Sequence, residues 1–290
     1  MTSPIPDPNT HPLSAQRLSP SYVKAFDDPE FLMREELRPV RLQLELWKAD
    51  LTQREQGILS TIVVFGGARI YERPAAEARV RAVEAKLLLD PDNPRFKKQA
   101  RAAHRLLDRC RYYDDARKLA GLVSAECQRN GGFCDYVIVT GGGPGVMEAA
   151  NRGAHDVGAK SIGLNIVLPF EQEPNRYITP ELCFQFHYFA IRKMHFLMRA
   201  KALIAFPGGF GTFDELFETL TLIQTKKIKP LPVLLYGREF WERAINFEFL
   251  ADEGLIAAED THLFQYVETP AEAWGVIRKF YEFDGGQRQD

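Results

Sequence analysis

The sequence predicts an α/β protein built on a Rossmann-like, doubly wound parallel sheet. Three observations carry that reading. Short, β-branched apolar segments recur along the chain, amphipathic helical stretches separate most of them, and three of the segments end in glycine turns.

The elements follow in order. Residues 1 to about 25 hold Pro4, Pro6, Pro8, Pro12 and Pro20 and little apolar surface, which predicts a mobile tail. From residue 29 to 56 the spacing of Phe31, Leu37, Val40, Leu44 and Trp47 predicts helices that dock an apolar face on the main body. Residues 1–56 are therefore read as a tail and helical extension, and residues 57–290 as the nucleotide-binding catalytic domain. The first strand is Thr61–Phe65, running into the tight turn Gly66-Gly67-Ala68-Arg69. A long helical region over residues 74–130 is broken by Asp90-Pro-Asp-Asn-Pro94 and holds two helices or more. Further strands are expected at residues 135–140, 161–165, 203–206, 232–236 and 264–268, each read as interior. Helices are expected at residues 146–157, 189–201, 212–225, 240–252 and 271–283. No internal repeat is visible.

Composition narrows the class. Of 290 residues, 45% are hydrophobic and 26% charged, which is the balance of a globular chain and excludes collagen, coiled coils and disulfide scaffolds. Lys and Arg number 37 against 39 Asp and Glu, so a net charge of -2 offers no whole-molecule attraction to nucleic acid or an anionic membrane; any anion site is local. Cys110, Cys127, Cys134 and Cys183 form no CxxC pair and are read as reduced. With no signal-peptide pattern and no apolar run of eighteen residues, a cytoplasmic location is expected. Lys97, Arg101, Arg105 and Arg109 recur every four residues on one helix face. That row is read as solvated, or as paired with the acidic run of Glu30, Glu35 and Glu36; nucleic-acid or polyphosphate binding is the alternative.

The glycine turns point to chemistry. They are Gly66-Gly67, then Gly141-Gly142-Gly143-Pro144-Gly145, then Pro207-Gly208-Gly209-Phe210-Gly211-Thr212. In a parallel sheet such turns gather at the carboxyl edge, where helix N-termini offer unpaired N–H groups, and glycine lets the backbone approach an anion. Each turn taken alone also reads as a sharp strand-to-helix connection. Val146 stands where the dinucleotide fingerprint needs glycine or alanine, and the Pro207 turn lacks the lysine of a P-loop. A single phosphate on a mononucleotide or sugar is favoured over NAD or a triphosphate.

The nonapeptide Pro207-Gly-Gly-Phe-Gly-Thr-Phe-Asp-Glu215 resembles the PGGxGTxxE signature of the LONELY GUY (LOG) family. Arg192-Lys193 resembles the second half of that family's MHxRK motif, and residues 141–147 resemble its other glycine loop. The resemblance covers about residues 61–237. It implies a phosphoribohydrolase that cleaves the N-glycosidic bond of a nucleoside 5'-monophosphate, often a cytokinin precursor, to free base and ribose 5-phosphate. It also implies a homodimer or higher homo-oligomer, and a family often labelled lysine decarboxylase. Two positions depart from the pattern. Phe189 and Ala190 replace the Met and His of MHxRK, which bears on cytokinin specificity, and Gly67 replaces a common serine.

By the same resemblance the catalytic arginine and glutamate fall on Arg192 and Glu215. Substrate and phosphate contacts fall on Gly66, Gly67, Gly141, Gly142, Gly143, Gly145, Lys193, Gly208, Gly209, Gly211 and Thr212. The residues themselves allow plainer readings. Thr212 and Glu215 have the spacing of a capping box. Yet Phe213, Leu216, Phe217, Leu220 and Ile223 define the expected buried face, from which Glu215 points away. Arg192, His195 and Arg199 share a helix face that reads as solvated and basic, with His195 structural. A carboxylate and a guanidinium suit an oxocarbenium-like transition state and a departing base, so neither a metal nor another cofactor is required. A pyridoxal phosphate decarboxylase using Lys193 is the weaker enzyme reading, and a non-catalytic nucleotide or cofactor carrier is the rival from another class.

Overall fold

The computed structural model describes residues 14–128, 134–168 and 173–281. The first thirteen residues of the expected tail lie outside them. The chain falls into two compact units, one up to Trp47 and the other from Lys48 onward, so the division lies within a helix.

The first unit holds α1 (Ala15–Leu18), α2 (Pro29–Leu32) and most of α3 (Arg38–Glu55). Asp28 caps α2 by accepting from the Phe31 amide at 3.0 Å, and Pro29 supplies the preset φ of a first helical position. Of the residues expected on the unit's apolar face, Phe31, Val40, Leu44 and Trp47 are exposed. What α3 buries is Ala49, Asp50 and Gln53 at its C-terminal end. Glu35 and Glu36 pair with Arg38 and Arg34 of their own segment.

The larger unit carries a seven-stranded sheet, β1 (Thr61–Phe65), β2 (Val137–Thr140), β3 (Ser161–Ile166), β4 (Cys183–Phe186), β5 (Ala200–Ala205), β6 (Val233–Tyr236) and β7 (Gln265–Val267). Their order is β4-β3-β2-β1-β5-β6-β7 and every pairing is parallel. The helices are α4 (Arg73–Leu89), α5 (Pro94–Asp108), α6 (Arg111–Cys127), α7 (Val146–Asp156), α8 (Phe189–Met198), α9 (Phe210–Gln224), α10 (Arg238–Ala244), α11 (Phe247–Asp252) and α12 (Pro270–Phe280). β1, β2 and β6 are buried along their whole length, as the unbroken apolar runs require of strands covered on both faces.

Four expectations are corrected. β4 was absent from the sequence reading; it alternates in burial as an edge strand does, and its four residues carry little signal. β7, read as interior, is the opposite edge. The helix expected to reach residue 201 stops at Met198, because pairing with β1 draws Ala200 and Ala202 into β5 despite their helix propensity. The helix expected at residues 240–252 is split in two, with Asn246 capping the second by accepting from Phe249 at 3.0 Å. On α5, Lys97 pairs with Asp92, Arg109 lies over the Phe240 ring, and Arg101 and Arg105 are exposed.

Strand order reverses between β1 and β5, so the crevice outside their carboxyl ends is the topological switch point where open α/β sheets bind ligands. The two strand ends are tied together: Phe206 N donates to Phe65 O and Gly67 N to Pro207 O, both at 2.9 Å.

Candidate functional site

The three glycine turns gather at this edge as expected, and packing distinguishes among them. A side chain at Gly66 would strike Val146, the first residue of α7, with a Cβ 2.6 Å from its Cγ1. One at Gly67 would stand 3.1 Å from the Pro207 carbonyl. At Gly141 a Cβ would lie 2.8 Å from Nη2 of Arg192. Gly142 and Gly145 have φ of +74° and +75°, and side chains there would collide with Asn165 and with the backbone of Gly67 and Ala68. These glycines are accounted for by the protein's own packing. The Gly143 carbonyl accepts from Asn175 at 3.2 Å, a bond that does not itself call for glycine.

The Pro207 turn is different. A Cβ at Gly208 would meet Thr212, but Gly209 and Gly211 face open space, with no atom within 4 Å of an added Cβ. α9 starts immediately, with Gly209 as its N-cap and no side-chain cap, so its first amides point out of the turn. Thr212 therefore lies inside the helix, and the capping box suggested by Thr212 and Glu215 is not formed.

Glu215 stands one turn further along. Contrary to the sequence reading it belongs to the buried face, together with Thr212, Leu216, Thr219, Leu220 and Ile223, and it is 5% exposed. Its partner decides this. Arg192 on α8 brings Nη1 to 3.8 Å from Oε1 of Glu215. Nε of Arg192 donates to the Leu164 carbonyl of β3 at 2.7 Å, and its guanidinium lies over the Phe196 ring at 4.9 Å. Lys193 reaches the other side of α9 and pairs with Asp214 at 3.0 Å and Glu218 at 2.8 Å.

Electrostatics follow from burial. Desolvation pushes the Glu215 carboxyl up to about 7, although Lys193 and Arg192 pull it down. Burial also lowers the Arg192 guanidinium, with Glu215 and Asp214 opposing. Burial lowers Lys193 too, but its bonds to Glu218 and Asp214 outweigh that and hold its ammonium above the usual range. The supposedly solvated face of α8 is in fact enclosed. Arg192 is nearly covered, His195 is buried beside the Phe186 ring, and Arg199 is bonded to the buried Asp50 at 2.6 Å.

Sequence reading missed the polar residues beneath the Gly141 loop. Thr140 Oγ1 accepts from the Gly142 amide at 3.0 Å and donates to Asn151 at 2.7 Å. Asn151 is fully buried and donates to Ser161 Oγ at 3.0 Å, and Asn175 reaches its Oδ1 at 2.9 Å. Asn165 donates to the Phe184 carbonyl at 3.1 Å. The available signal was a polar residue within an apolar pattern, such as Asn151 among Val146, Ala149, Ala150 and Ala154.

Fold and site together define a Rossmann-like α/β protein with a glycine-lined crevice at its switch point and a buried arginine–glutamate pair beside it. The family model described as "Possible lysine decarboxylase" matches residues 147–277. Two curated relatives come from Arabidopsis thaliana. The cytokinin riboside 5'-monophosphate phosphoribohydrolase LOG2 is 32% identical over 127 residues, 42% of this chain and 57% of that one. Its namesake LOG4 is 30% identical over 152 residues, 51% of this chain and 67% of that one. The chain belongs to the LOG family. It spans little more than half the length of LOG2, at 57%, and of a third relative, the cytokinin riboside 5'-monophosphate phosphoribohydrolase LOG of Oryza sativa subsp. japonica, at 51%. Among solved structures, a molybdenum cofactor carrier protein from Chlamydomonas reinhardtii is similar at 18% identity and a TM-score of 0.39, over 58% of this chain and 87% of that one. Among the described residues no helix is long and apolar enough to cross a membrane, and no group of three or more His, Cys, Asp and Glu could hold a metal ion.

Proposed function

We propose that the chain is a nucleoside 5'-monophosphate phosphoribohydrolase, acting on AMP or an N6-modified AMP and releasing free base and ribose 5-phosphate. The observation that supports this most is the buried pair of Arg192 and Glu215, one helical turn from a cup in which Gly209 and Gly211 have no packing reason to be glycine. In this reading the phosphate sits at the N-terminus of α9 on amides of Gly208, Gly209 and Gly211, helped by the helix dipole, with Thr212 beside them and its own amide given to Gly209 O. Gly66, Gly67, Gly141, Gly142, Gly143 and Gly145 form the rest of the cradle, and Lys193 fixes α8 against α9 through Asp214 and Glu218.

The chemistry is a displacement at the anomeric carbon. The bond from C1' to the base nitrogen breaks, its electron pair leaves with the base, and water supplies the new C1'–O bond. Glu215 as carboxylate stabilises the oxocarbenium-like sugar and accepts a proton from the attacking water. Arg192 steadies the negative charge that develops on the leaving base. The base takes up the proton released from water by way of Glu215 or solvent, so that neutral base and ribose 5-phosphate leave and Glu215 returns to carboxylate. The acting unit in this reading is a homodimer, supported by the exposed Phe189, Met194 and Met198 on α8 and Phe210 and Phe217 on α9.

The test is incubation with a panel of nucleoside monophosphates that includes AMP and N6-isopentenyl AMP, with free base and ribose 5-phosphate as products. Tight binding without base release would instead identify a carrier.

A further inference from the structure

We infer that Asn175 is a positioning residue for Arg192, acting through the carbonyls of the Gly141 loop; its catalytic consequence rests on the phosphoribohydrolase reading. Asn175 lies in the connection between β3 and β4. Its backbone amide donates to Gly142 O at 2.9 Å. Its side-chain Nδ2 reaches three oxygens, Gly142 O and Gly143 O at 3.2 Å each and Asn151 Oδ1 at 2.9 Å. Its Oδ1 accepts from the Tyr177 amide at 3.2 Å.

Each contact constrains the residue type. The side chain must share two N–H groups among three acceptors and accept from one amide, which a short carboxamide does. Aspartate has the same shape but no hydrogen to offer the three oxygens. The loop it holds has no freedom to compensate, because Gly142 is locked at φ +74° with its Cα against Asn165 and its amide on Thr140.

Arg192 depends on that loop. Gly141 is the floor under its guanidinium, so close that a Cβ there would come within 2.8 Å of Nη2, while the Leu164 carbonyl at 2.7 Å, the Phe196 ring and Glu215 lie on its other sides. Shifting residues 141–143 therefore moves the floor and, with it, the distance from Arg192 to Glu215. Asn151, Thr140 and Ser161 extend the same network to the ends of β2 and β3, which makes the loop rigid from below.

The experiment compares full-length wild type with Asn175→Asp and Asn175→Ala. In crystal structures of the variants the Arg192 guanidinium leaves its contacts with Leu164 O and Gly141. In base-release assays kcat falls on the order of 10–100-fold, the size expected when a catalytic group is misplaced by about 1 Å, and KM rises with it because residues 141–143 also line the proposed cradle. Asn175→Ala adds no charge and carries the same readouts should the aspartate variant not fold. An Arg192 that keeps its place, or a wild-type kcat, overturns the inference. If the wild-type protein releases no base from any nucleoside monophosphate, the phosphoribohydrolase reading fails, and the position of Arg192 in the variants still decides the role of Asn175.

Discussion

Arg192 and Glu215 face each other from neighbouring helices with 3.8 Å between guanidinium nitrogen and carboxylate oxygen, and both side chains are nearly excluded from water. Each is held from outside the pair. Leu164 and Gly141 seat the arginine, while the burial of one face of α9 sets the glutamate. A charged pair so enclosed is weak evidence for stability, since desolvation offsets much of the attraction. Its place beside the open Pro207 turn accords with the proposed chemistry.

Glu215→Gln is expected to lower base release by about two orders of magnitude or more, the size associated with loss of a general acid/base group. With no capping box present, the change leaves the start of α9 intact. Steady-state assays alongside circular dichroism check this. Near-wild-type turnover would move attention to Asp214 and Glu218.

Activity should rise with pH through about 7, because the carboxylate form of Glu215 does the work and its pKa is raised to about 7. A kcat/KM profile from pH 5 to 9 measures it. A flat profile through neutrality would remove Glu215 from the reaction.

Stability should run the other way. A carboxyl that titrates near 7 when folded and near its ordinary 4.5 when unfolded holds its proton more tightly in the folded state. Its contribution is therefore full below about pH 4.5 and is lost as pH rises to about 7, by at most about 3 kcal/mol. Urea titrations of wild type and Glu215→Gln at pH 5 and pH 8 test the sign, since the glutamine variant should lack this loss.

Gly209→Ala and Gly211→Ala should fold as well as wild type, with Gly211→Ala stabilised by roughly 0.4–1 kcal/mol, yet bind nucleotide more weakly. Gly142→Ala and Gly145→Ala should lower Tm, because both positions have positive φ and no room. Thermal melts and AMP titrations separate the two groups. Equal loss of Tm in all four variants would mean that the Pro207 turn is shaped by packing alone.

The proposed dimer predicts light scattering above the monomer mass of 33.0 kDa at micromolar concentration. Exchanging Phe210 and Phe217 for serine should shift the protein toward monomer. A 33 kDa particle for the wild type ends the idea.

Much of the larger unit was legible because its signals are local. The apolar runs at Thr61–Phe65 and Val137–Thr140 can only be buried strands, and the glycine turns after them mark the edge where strands end. Legibility failed where the deciding partner is distant in the chain. Glu215 reads as pointing away from the buried face until Arg192 is laid against α9. Asn175 carries no pattern at all, since its three acceptors come from residues 24 to 33 positions away.

By itself, then, the sequence determined the sheet's apolar strands, the glycine turns and the resemblance carried by the nonapeptide ending at Glu215, because these depend on residue type and spacing over a few positions. Tertiary structure alone decided that Glu215 is buried, that Arg192 is its partner, and which glycines are demanded by packing and which stand open. Those outcomes depend on through-space distances between segments tens of residues apart, and desolvation, which sets the pKa of Glu215, exists only once the surrounding elements have closed over it.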